Sequence, residues 1–137
     1  MAGPEAPEAG WKAFTDNVVG GGRLELDPGG IEQCIKLCQD HADHMGDLAR
    51  RANEELRATD LGIGEKDIAS AAELARKFDE KAISGRDIEL GNTARGLFTA
   101  HQTYARDMKS MFEAVLARYQ EQDEQIAGTL SAAGTEL

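Results

Sequence analysis

Between Ile31 and Leu56, apolar or small residues recur at Ile31, Ile35, Cys38, Ala42, Met45, Ala49, Ala52 and Leu56. The steps alternate between four and three, a period of about 3.5 residues that belongs to an α-helix packed along a neighbour, not to a strand. Leu48 and Cys34 widen the stripe on one flank, while Asp40, Asp43, Asp47 and Arg50 fall on the wet side. Asp27 is a good N-cap and Pro28 fits the first helical position, where its missing N–H costs nothing. Two glycines follow, so the reading places regular helix nearer Ile31.

The seam stops at Thr59-Asp60-Leu61-Gly62-Ile63-Gly64, a glycine-bracketed turn with Leu61 and Ile63 expected to tuck inward. Ser70 with Glu73 three residues on reads as a capping box. Ala71, Leu74, Ala75, Phe78 and Ala82 then give a short middle helix its apolar face, ended by Ser84-Gly85. The last helix carries Leu90, Ala94, Leu97, His101, Tyr104, Met108, Met111 and Val115 in steps of four and three. A parallel seven-residue row joins Phe98, Ala105, Phe112, Tyr119 and Ile126, with Gly128 as the expected C-cap. Helices of about 28 and about 40 residues span roughly 42 and 60 Å. The fold class is therefore all-α: an elongated antiparallel helical hairpin with a short middle helix.

Composition agrees. Apolar residues make up 41% of the 137 and aromatics 5%, so the core has to come from Ala, Leu, Ile, Val and Met, mostly helix formers. That length suits one domain. We divide it into a flexible acidic arm (1–27), a helical hairpin domain (28–128) and a disordered tail (129–137). Trp11 and Phe14 in the arm make an i,i+3 pair that packs on the protein's own helices or docks elsewhere. With 25 acids against 15 bases, the net charge of −10 argues against nucleic acid and against an anionic leaflet. No apolar run is long enough to insert in a membrane. The beginning Met-Ala-Gly-Pro-Glu-Ala-Pro-Glu has neither the basic nor the apolar region of a signal peptide.

Two helices enclose no core, and the long ones carry wider apolar faces than a single seam needs. The surplus is expected to pack against a second hairpin chain in a four-helix bundle. The candidate partner-binding residues are Leu97, Phe98, Tyr104, Met108, Phe112 and Val115, with Ile35 and Met45. Whether the partner is a second copy or a different protein stays open.

The chemical alternative is a metal centre. Cys34, Cys38 and His41 point one way from a helix, at about 0°, 40° and −20°, and His101 on the last helix would supply a fourth ligand. Thiolate with imidazole suits zinc or copper. The competing reading makes Cys38 and His101 core residues of the two seams. The two cysteines, one helical turn apart, are too distant for an unstrained disulfide and read as free thiols. No nucleotide-binding glycine motif or nucleophile constellation stands out, so the chain reads as a non-enzyme without a cofactor.

Three features resemble the small helical-hairpin proteins of type VII secretion (the early secreted antigenic target, or Trp-x-Gly-like, family). They are the Leu24-x-Leu26-Asp27-Pro28 approach to the first helix, the small-residue helix–turn–helix plan, and Tyr119-Gln-Glu-Gln-Asp123 near the end of the last helix. The turn reads Leu61-Gly62-Ile63-Gly64 in place of Trp-x-Gly, which resembles a divergent actinobacterial relative. The resemblance implies hairpins paired as four-helix bundles and a Tyr-x-x-x-Asp export signal, Tyr119 and Asp123, read by the secretion apparatus. It further implies a chain that is cytoplasmic before export and secreted without a signal peptide.

Overall fold

The structure is a computed structural model that describes residues 12–13, 15–16 and 25–135. The Trp11–Phe14 pair and Leu24 lie outside the described residues. Among those described there is no strand. From Pro28 on, three helices follow one another among the described residues: α1 (Pro28–Glu55), α2 (Ala69–Ile83) and α3 (Ala94–Thr135), with a 3-10 turn at Leu90–Asn92 before α3. The two long helices pack together. The chain forms two compact units. The first takes α1 as far as Asp40 and α3 from Tyr104; the second takes residues 41–103.

The start of α1 follows from Asp27. Its carboxylate accepts the Gly29 N–H at 3.1 Å and its carbonyl accepts the Ile31 N–H at 3.1 Å. The helix therefore begins at Pro28, three residues before the expected start, because the cap satisfies the Gly29 N–H and the first helical hydrogen bond closes from Ile31. In the first unit Cys38, Met111 and Val115 are buried, Ile31 and Ile35 are half-buried, and Lys109 Nζ donates to Gln39 Oε1 at 2.9 Å.

In the second unit the α1 seam continues through Ala42, fully buried, and Ala52, with Met45 and Ala49 half-buried; Leu56 is exposed. The facing side of α3 differs from the expected one. Leu97 and His101 are exposed, whereas Phe98 and Gln102 are half-buried. Gly46 explains the turn of the helix: a Cβ there would stand 2.4 Å from Gln102 Nε2, so the missing side chain leaves room for the glutamine. His101 is thus no core residue.

Three helix boundaries also differ. The Ser70–Glu73 capping box does not form; α2 begins at Ala69 behind an extended Ile68, and Glu73 turns to Arg76 instead. Leu61 and Ile63 stay exposed, since Gly62 and Gly64 both adopt positive φ and the turn is stitched through Glu65, which accepts the Leu61 and Ile63 N–H groups. At the other end α3 runs through Gly128 to Thr135, so the glycine is no C-cap and residues 129–135 are helical. A glycine is weak helix material, but nothing at Gly128 breaks the hydrogen-bond ladder.

The N-terminus of α3 is closed by Thr93. Its hydroxyl donates to the Leu90 carbonyl at 2.7 Å and accepts the Gly96 N–H at 3.0 Å, and the residue is fully buried. Leu90, read from the sequence as helical and apolar-facing, lies outside α3 and is exposed.

Candidate interaction surface

Tyr119 and Asp123 sit one turn apart on α3, well inside the helix. Tyr119 is half-buried and Asp123 exposed. One turn further, Ile126 and Leu130 continue the same side of the helix and are 43% and 69% exposed. Arg118 reaches Glu121 at 3.8 Å, and no Lys or Arg follows it in the sequence.

The other partner-binding candidates divide into three groups. Leu97 is freely exposed; Phe98, Tyr104, Met108, Phe112, Ile35 and Met45 are half-buried; Val115 is buried within its own unit and is a core residue in this conformation. The half-buried side chains keep part of their surface exposed, Ile35, Tyr104, Met108 and Phe112 in the first unit and Met45 and Phe98 in the second. Within each unit such side chains offer area for a partner at little extra ordering cost.

The metal-ligand candidates are not assembled. Cys38 is buried, Cys34 half-buried, and His41 and His101 are exposed. Among the described residues no three His, Cys, Asp or Glu side chains form a group able to hold a metal ion. Burial, and then the neighbouring Cys34, push the Cys38 thiol above its ordinary range, which disfavours the thiolate a metal needs. Both cysteines are free.

Sequence reasoning missed the charged side of the second unit. Arg57 donates to Asp79 through Nε at 3.1 Å and Nη2 at 3.0 Å, and Asp79 also accepts the Ala58 N–H at 3.1 Å. These bonds fasten α2 to the end of α1. The Arg57 hydrogen bonds hold the Asp79 carboxyl below the usual carboxylate range, against a smaller opposing push from burial. Arg76 is a second hub, binding Glu73, Glu80 and Asp87. Its guanidinium is held still more firmly protonated by those hydrogen bonds, those to Glu73 first.

Glu80 is itself buried, and its Oε1 also accepts the Arg86 N–H at 3.3 Å. A Cβ at Gly85 would collide with its side chain, 2.1 Å from Cγ. The sequence signal was present: a glycine two residues past the end of a helix and five past a glutamate with an arginine at i−4. Its partners across the loop were not readable from spacing.

No family model matches this chain, and neither a curated protein nor a solved structure matches it.

Proposed function

We propose that this chain is a non-enzymatic helical binding protein: a type VII secretion substrate, or the pairing partner of one. In this reading the two long helices form an elongated antiparallel hairpin whose half-exposed stripe packs on a second hairpin chain, giving a four-helix bundle. The protein is cytoplasmic before export and leaves without a signal peptide, carried by the secretion apparatus. Tyr119 and Asp123 are the export signal.

The observation that carries the reading is the far part of α3. There a half-buried tyrosine and an exposed aspartate share one side of an uninterrupted helix that goes on to expose Ile126 and Leu130. A receptor can read such a surface as a rigid ridge without having to order it first. It agrees with the reading that no helix among the described residues is long and apolar enough to cross a membrane.

The test is export of Tyr119→Ala and Asp123→Asn from a host that has the apparatus, with intracellular level and helix content measured beside it. Export of both should fall sharply while folded protein accumulates inside. Undiminished export of both variants overturns the signal.

A further inference from the structure

The middle helix packs by its smallest residues. Ala75 and Ala82 are buried, while Leu74 and Phe78, expected in the core, are 47% and 56% exposed. At 100° per residue, Leu74, Lys77, Phe78 and Lys81 occupy one arc of about 100°, and all four are exposed. The acids of α2 are already committed: Glu73 and Glu80 to Arg76, Asp79 to Arg57. Among the described residues Lys77 and Lys81 make no ion pair, so this is a basic, apolar ridge on a chain of net charge −10.

The far part of α3 is its opposite. Asp123, Ile126 and Leu130 lie within an arc of about 60°; Glu124 stands about 100° round from Asp123, on the flank of that arc, and all four are exposed. Neither Asp123 nor Glu124 has an ion pair among the described residues, and no Lys or Arg follows Arg118 in the sequence. Each ridge offers two large apolar side chains beside charge of one sign, two lysines on α2 and Asp123 with the flanking Glu124 on α3, and the signs are opposite.

We infer that the α2 ridge of one copy docks on the α3 ridge of a second copy, Lys77 and Lys81 against Asp123 and the flanking Glu124, with Leu74 and Phe78 against Ile126 and Leu130. Charge complementarity selects this occupant: every copy brings one ridge of each kind, so self-association neutralises both. The contact is heterologous, and repeats until a ring closes or a chain grows. It is small, and belongs with transient interfaces that dissolve on dilution and in salt. It uses α2, which the hairpin-pairing stripe does not; on α3 it shares Asp123, Ile126 and Leu130 with the surface of the export reading and goes beyond that reading.

Light scattering on the purified full chain tests it. The average mass should rise from 14.8 kDa by about twofold or more with concentration, and fall back in high salt. The double variants Lys77→Glu/Lys81→Glu and Asp123→Lys/Glu124→Lys should each remain at the monomer mass with helix content intact. Mixed together, they should associate again, because the swapped signs complement each other. A wild-type mass that stays at 14.8 kDa at every concentration overturns the inference. So does association that ignores both charge swaps, or a mixture that stays monomeric. Monomers that instead bind phosphatidylserine vesicles through Lys77 and Lys81 would overturn it in favour of a lipid surface. None of these failures touches the export reading, which is read by secretion of the Tyr119 variant.

Discussion

A Cβ placed on Gly96 would stand 1.7 Å from the carbonyl oxygen of Leu90. The 3-10 turn at Leu90–Asn92 folds back onto the first turn of α3 so closely that only hydrogen fits. The contact is with backbone, which cannot swing aside. Gly96→Ala should therefore cost about 3 kcal/mol or more, the upper end of overpacking effects, by chemical denaturation.

Gly46 presents the contrasting case. There the obstacle is the end of the Gln102 side chain, which can rotate away. Alanine also recovers helix propensity lost to glycine, so Gly46→Ala should stay within about 1 kcal/mol of wild type. An equal, large loss for both variants would contradict the distinction.

Thr93 carries the cap of α3 on one hydroxyl that both donates and accepts. Thr93→Ala should lose about 1–2 kcal/mol, and Thr93→Ser should recover most of that loss. Hydrogen exchange should speed up at Gly96, whose N–H loses its acceptor.

The Arg57–Asp79 pair predicts a pH dependence. Asp79 has a folded pKa below the ordinary carboxylate value, so the unfolded chain takes up the proton first. The stability gap between wild type and Asp79→Asn should be full above about pH 4 and should close as the pH falls through the folded pKa. Urea titrations over that range check it; a gap that widens on acidification would be the wrong sign.

Burial predicts an order of thiol reactivity. Cys38 is 8% exposed and its thiol is pushed up, while Cys34 reaches the surface in part. Native labelling by a maleimide at neutral pH should go first to Cys34. Cys34→Ser should abolish the fast phase and Cys38→Ser should leave it.

How much of this was legible depends on which forces are local. Cys38, Ala42 and Ala52 fall where the repeat along α1 puts them, because a helix and its period are encoded by neighbours in sequence. On α3 two apolar rows run side by side, and the sequence does not say which one faces α1. The choice of Phe98 and Gln102 over Leu97 and His101 depends on Gly46, 56 positions before Gln102. Leu74 and Phe78 outside with Ala75 and Ala82 inside is a tertiary decision too. Arg57, 22 positions from Asp79, ties α2 by its Asp79 edge, and the large residues face away from it. For the site, Tyr119 and Asp123 were readable as one side of a helix. The lysine ridge was not, since its charge is left over only after Arg76 and Arg57 have taken the acids.

The largest side chain completely hidden from solvent among the described residues is that of Thr93. Alanines fill much of the remaining interior, and bigger apolar groups sit half in water. Unfolding then uncovers less new apolar surface than a core of leucine and phenylalanine would, and the heat-capacity increment, which scales with that surface, is small. A smaller increment bends the stability curve less, so stability should change less between cold and warm than in a chain of this length with a leucine and phenylalanine core.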